Sequence, residues 1–233
     1  MWRMSTVLTG LTALATLAGT GCVINDTEDS AFRAFWSLEY VGGGSVGCGH
    51  ADVPEVSVVA RHLGNNSPFP FKFPCDEGAG MTSVLPLGQY EVTLSALNSA
   101  REEVSRITGG PWEIRRHGIT DLTPPIVFEV QSWSLTWAIS RNLPGGAMRP
   151  AGCAEVGAKW VRLITQLGNK DRTQIDWPCE GGAGVSGAIQ VGSYGAQVAL
   201  LDAAQNTLSS TQVMNYPVNG TDRATLSVIF DVR

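Results

Sequence analysis

The chain has 233 residues, 43% hydrophobic and only 16% charged, with 27 glycines, 12 prolines and a net charge of −5. That is enough apolar material for one large core or two of about 100 residues each, and the Gly- and Pro-punctuated balance suits short strands and turns rather than helices. An acidic chain lacks the basic face that phosphate neutralisation needs, which excludes nucleic acid as a partner; the one basic run, Arg115-Arg116-His117, reads as a solvated loop.

The N-terminus reads as a targeting segment. Arg3 is followed by an uncharged run from Met4 to Gly21. That run is too short and too rich in Thr and Gly for a membrane span of about 20 apolar residues, and it fits a signal peptide over residues 1–21. Leu17-Ala18-Gly19-Thr20-Gly21-Cys22 resembles the lipobox of bacterial lipoproteins, with Gly19 where that pattern commonly has Leu. The resemblance implies an acylated Cys22, a polar tether over residues 22–31 and anchorage to a membrane. Val23, rather than an Asp, after the Cys implies the outer membrane by the same resemblance.

Strand signals follow in chain order. Trp36 to Tyr40 alternates apolar and polar residues, and Gly42-Gly43-Gly44 reads as a turn. Val53 to Val59 is rich in β-branched residues, and Phe69 to Phe73 carries three aromatics. Tyr90 to Leu94 alternates again, Glu102 to Ile107 follows a polar break, and Gly109 to Glu113 reads as a Gly/Pro loop bearing Trp112. Ile126 to Val130 closes the series. The pattern then restarts: Trp133 to Trp137, Trp160 to Ile164, and the phrase WPCEGGAG from Trp177 matching FPCDEGAG from Phe73. Residues 63–100 align without a gap on 167–204 at 12 identical positions. The spacing predicts six or seven short strands per hundred residues. Trp36-Ser-Leu38 aligns with Trp133-Ser-Leu135, so the predicted organisation is repeat 1 over 32–131 and repeat 2 over 132–233, with Gln131 and Ser132 alone between the last strand of one and the first of the next.

The cysteines support this division. Cys48 and Cys75 are separated by the same interval, within one residue, as Cys153 and Cys179. In an exported chain that predicts one disulfide per repeat and leaves Cys22 over, where acylation would consume it. Zinc is the rival reading at Cys48-Gly49-His50, but there is no CxxC pair and the second copy has Ala154-Glu155 there. Asp76, Glu77 and Glu180 beside their Gly turns leave a weak Ca²⁺ site open, but one or two carboxylates are a weak signal for an ion that takes six to eight oxygens.

Gly88-Gln-Tyr90 and Gly192-Ser-Tyr194, each followed by alternating residues, resemble the late strands of immunoglobulin-like and carboxypeptidase-regulatory-like β-sandwiches. The whole repeat, with its Trp-bearing strand, Cys, Pro-Cys and G-x-Y turn, is similar to units in lipoproteins of myxobacteria and their relatives. The fold class expected is therefore all-β, two tandem immunoglobulin-like sandwiches behind a signal peptide. The resemblance implies a cell-envelope address, not an activity.

No nucleophile elbow, zinc-protease helix or phosphate loop is present in the sequence. All three histidines (His50, His62 and His117) fall in the first copy, and no carboxylate pair stands out. The chain is read as a binding or structural module rather than an enzyme, without cofactor or metal; a carbohydrate-active enzyme or its accessory subunit is the alternative. A glycan or protein ligand is expected, with Trp112, Phe69 and Phe71, aromatics lacking counterparts at the aligned positions, as candidate contacts.

Overall fold

The computed structural model of the protein describes residues 30–116 and 118–232; the leader, Cys22, the tether up to residue 29, and His117 lie outside the described residues. The described chain is all-β, with short 3₁₀ turns. Its strands are β1 (Ser30–Tyr40), β2 (Ser45–Val46), β3 (Glu55–His62), β4 (Pro68–Pro74), β5 (Ala79–Met81), β6 (Gly88–Leu97), β7 (Glu103–Ile114), β8 (Gly118–Asn142), β9 (Met148–Ala151), β10 (Trp160–Leu167), β11 (Thr173–Pro178), β12 (Ala183–Ile189), β13 (Gly192–Leu201), β14 (Thr207–Ser210), β15 (Met214–Val218) and β16 (Ala224–Val232). β1 starts at Ser30, and both Ser30 and Ala31 are buried in it, so the tether expected to reach residue 31 ends earlier. The cause is parallel pairing of Ser30 and Ala31 with Gly118 and Ile119, which extends the sheet beyond the alternating Trp36–Tyr40 segment.

A four-stranded sheet runs β4-β3-β6-β7, and a five-stranded sheet runs β11-β10-β13-β14 with β15 also on β13. The third sheet joins β1, β2, β5, β8, β9, β12 and β16. Its spine is β8, 25 residues long, which pairs in parallel with β1 through its first half and with β16 through its second. Gln131 and Ser132 lie inside this strand and are buried. Alternate residues of each strand face inward, as the two-residue period of a strand requires. Phe32, Trp36 and Phe128 from one sheet meet Val58, Tyr90 and Leu94 from the four-stranded sheet in one core. Trp133, Leu135 and Phe230 meet Leu163, Tyr194 and Val198 from the five-stranded sheet in a second. The architecture is thus β-sandwich packing around two clusters that share a strand.

The same contacts recur in the two halves. The disulfides are Cys48–Cys75 and Cys153–Cys179, with Cα–Cα separations of 5.9 and 6.0 Å. The Trp36 indole donates to the Cys75 carbonyl at 2.9 Å, and the Trp137 indole to the Cys179 carbonyl at 2.8 Å. This corrects the sequence register: the partner of Trp36 is Trp137, not Trp133. Trp133 instead takes the place of Phe32, each edge-on to the tyrosine of the G-x-Y turn at 5.6 and 5.5 Å. Trp133-Ser-Leu-Thr-Trp137 puts two tryptophans four residues apart on one strand face, and a period-two pattern cannot distinguish registers that differ by an even slip.

The duplicated phrase is a local device. Its aromatic, Phe73 or Trp177, lies against a glycine two residues past the turn. A Cβ at Gly80 would sit 2.6 Å from the Phe73 ring, and one at Gly184 2.4 Å from the Trp177 ring, so only glycine admits the stack. Gly78 and Gly182 close the 3₁₀ turn after each Cys with φ of 62° and 65°, a region glycine enters without steric cost. The tyrosines add a corner: Tyr90 donates to the Pro86 carbonyl at 2.8 Å and Tyr194 to the Gln190 carbonyl at 2.9 Å.

Candidate functional site

The aromatics singled out in the sequence turn toward the first core. β4 is an edge strand whose residues alternate, with Phe69, Phe71 and Phe73 half-buried against that core and Pro68, Pro70, Lys72 and Pro74 exposed. Three prolines of one parity and a lysine blunt the edge against further strand pairing. Trp112 is not in a loop. It belongs to β7, where Tyr90 pairs with Trp112 and Val92 with Gly109, so that Gly110 and Pro111 bulge opposite Glu91. A Cβ at Gly110 would come within 2.7 Å of the Tyr90 carbonyl, which makes glycine necessary in the bulge. In the second half the same register pairs Tyr194 with Tyr216, which packs on Trp133 at 5.0 Å. The Trp112 position is therefore aromatic in both halves, and it covers a small apolar pocket of about 260 Å³ beside Thr123, Pro124 and Pro125. Asp76 and Glu77 sit in the turn after Cys75, and among the described residues no group of three or more His, Cys, Asp or Glu side chains is placed to hold a metal ion.

A larger concavity lies elsewhere, where the two halves meet. The turns at Asp52 and at Asn98–Glu102 come from the first half; the β10–β11 turn and the end of β12 come from the second. Between them is a cleft of about 750 Å³, within the range of ordinary ligand pockets. Its frame is a set of bonds across the junction. The Ala188 amide donates to the Ala51 carbonyl at 2.6 Å. The Gln190 carboxamide donates to the Glu103 carbonyl at 3.2 Å. The Lys170 ammonium lies 2.6 Å from the Glu102 carboxylate and 2.5 Å from the Gln190 carboxamide oxygen. On another side, Arg223 donates to the Gly43 carbonyl at 3.3 Å and stacks over the Tyr40 ring at 5.0 Å.

The charges in the cleft are set by these neighbours. The hydrogen bond from Lys170 holds the Glu102 carboxyl below the ordinary carboxylate range, so it is ionised at neutral pH. Burial, with the Glu102 carboxylate nearby, pushes the Tyr194 phenol up to about 12, so it stays a neutral donor. Asp52 accepts from the Ser99 hydroxyl at 2.8 Å. Leu167, Ile175 and Ile189 give the cleft an apolar part. Nothing in the sequence flagged this site, because its residues come from four separate segments and none forms a motif.

The junction depends on close backbone approach at Gly187. A Cβ there would lie 2.8 Å from the Asp52 Cβ and 3.3 Å from the Ala51 carbonyl oxygen. Gly187→Val is expected to force the halves apart and to cost about 1–3 kcal/mol, the usual penalty of overpacking. Hydrogen exchange reads this directly: the Ala188 amide should lose protection while amides in both cores keep theirs. Unchanged protection at Ala188 would mean that the junction does not rest on this contact.

No protein-family model matches the chain, and no characterised protein matches it in sequence. Among solved structures it is similar to a leucine-rich repeat protein from Bacteroides thetaiotaomicron at 13% identity and a TM-score of 0.29, covering 88% of this chain and 27% of that one. It is also similar to a candidate adhesin from that organism (9% identity, TM-score 0.38, 85% of this chain and 91% of the other). A candidate polysaccharide-binding protein, again from Bacteroides thetaiotaomicron, gives 9% identity and a TM-score of 0.38 over 87% of this chain and 91% of its own.

Proposed function

We propose that the protein is a cell-envelope lipoprotein that works as a ligand-binding module. In this reading a signal peptide over 1–21 precedes a lipidated Cys22, and two tandem immunoglobulin-like sandwiches, 32–131 and 132–233, follow a short tether. They are of the kind found in myxobacterial-type lipoproteins, held at the outer membrane. The observation that carries the binding role is the junction cleft, a preformed polar and apolar concavity walled by both halves. The two disulfides support export, since such bonds persist in oxidising compartments. Several acyl chains on Cys22 would be needed for stable anchoring, because one gives marginal attachment.

Two measurements test this reading. A palmitate analogue should label the protein, and Cys22→Ala should abolish both label and membrane association; an unlabelled wild-type chain beginning at another residue would overturn the anchor. For the binding role, the full chain in detergent is titrated with a panel of oligosaccharides and followed by NMR. Shifts are expected at Asn169, Lys170 and Gln190 on one wall and Asn98 and Ser99 on the other. Shifts confined to Trp112 would move the site to the first half, and turnover of a saccharide would favour an enzyme.

A further inference from the structure

We infer that the junction cleft takes a saccharide bearing protonated amines, an inference that rests on the cleft being the ligand site. The charge balance points there first. Asp52, Glu102 and Asp171 line the cleft against one lysine, Lys170. That lysine is already engaged, by Glu102 and by Gln190, so Glu102 is neutralised within the chain. Asp52 and Asp171 are left. Asp52 accepts from a neutral hydroxyl, and among the described residues Asp171 forms no ion pair and no side-chain hydrogen bond. Asp52 belongs to the first half and Asp171 to the second. A ligand that reaches both halves meets a carboxylate without an ion pair on each, and amines on more than one unit of one chain would answer both.

Charge by itself would admit any diamine. The remaining lining argues for a hydroxylated scaffold. The Asn169 carboxamide has no partner within the described chain and offers both a donor and an acceptor. The Ser99 and Thr173 hydroxyls also line the cleft but are engaged within the chain, by Asp52 at 2.8 Å and by Thr165 at 2.7 Å. Leu167, Ile175 and Ile189 supply the apolar surface on which the C–H face of a sugar ring can rest. A linear amine would leave the carboxamide to water, whereas a sugar ring uses both the polar and the apolar surface. The volume also exceeds what a small cation needs.

Isothermal titration of the full chain in detergent decides the matter, at about pH 6, below the ordinary amine range. The probes are a fully de-acetylated glucosamine tetramer, its N-acetylated counterpart and spermine. The amine tetramer should bind at least tenfold more tightly than the other two, and its affinity should fall as salt screens the pair. Asp171→Asn and Asp52→Asn should each lower that affinity about tenfold. Asn is the appropriate replacement at position 52, where φ is 53°, because it tolerates left-handed backbone. Melting curves matching the wild type would confirm that both variants are folded. Spermine binding as tightly as the tetramer would overturn the saccharide part. Equal or tighter binding of the N-acetylated tetramer would overturn the amine part and leave the cleft as a glycan site. Tetramers that release no binding heat, or whose affinity neither variant changes, would remove the cleft itself as the ligand site.

Discussion

Trp133→Ala is expected to destabilise the second core by about 3–5 kcal/mol, the usual cost of emptying a large buried aromatic site, and to leave the first core's melting transition in place. Trp133 is fully buried and lies edge-on to Tyr194 at 5.6 Å and to Tyr216 at 5.0 Å. One feature moderates the loss. Its indole N–H is buried without a hydrogen-bond partner, so truncation also removes an unsatisfied donor worth about 1–3 kcal/mol. The conservative change exposes that balance. Trp133→Phe keeps most of the packing, gives up the orphan donor, and should cost well under half as much as Trp133→Ala. The measurement is a denaturant melt that reports each half separately, by hydrogen exchange at Val58 and at Leu163, one in each core. Simultaneous loss of protection in both cores on Trp133→Ala would show one cooperative unit. The proposed boundary at 131/132 would then be wrong.

Removal of either disulfide should lower the stability of its own half by about 3 kcal/mol. The sequence separations, 27 for Cys48–Cys75 and 26 for Cys153–Cys179, set that size through loop closure in the unfolded chain. Against a typical domain stability of about 5–15 kcal/mol, the loss is severe. Each Cys also presents the carbonyl that the core tryptophan's indole uses, at 2.9 Å for Trp36 and 2.8 Å for Trp137. Cys153→Ala with Cys179→Ala should therefore shift Trp137 fluorescence and lower the second transition, while the first stays put. Wild-type protein in reductant should lose stability in both halves. A melt insensitive to reductant would show that neither staple carries the load assigned to it.

Much of this molecule can be read without coordinates. Alternation at Trp36–Tyr40 and Tyr90–Leu94 marks strands because a pleated chain turns successive side chains to opposite faces. The matched Cys spacing foretold the two disulfides now seen. The recurrence of Phe-Pro-Cys and Trp-Pro-Cys foretold a staple followed by a turn, and the glycines after it are explained locally, by positive φ at Gly78 and by ring contact at Gly80.

Other features needed the folded chain. Which tryptophan matches Trp36 depends on which indole reaches the Cys carbonyl, and period two is blind to a slip of four. Trp112 reads as a loop residue because Gly109-Gly-Pro111 punctuates the sequence; in the sheet those residues form a bulge and the strand continues past them. Phe69 and Phe71 read as spare aromatics, whereas β4 as an edge strand turns them onto the core and leaves its prolines outside. The cleft was least legible of all. Asp52, Glu102, Lys170 and Gln190 are far apart in sequence, and what assembles them is the unbroken course of β8 through both halves and the contact of Gly187 with Asp52. Local periodicity and repetition determine strands, staples and turns, because those depend on neighbours along the chain. The cleft depends on how the two halves abut, a long-range contact that no stretch of sequence encodes by itself.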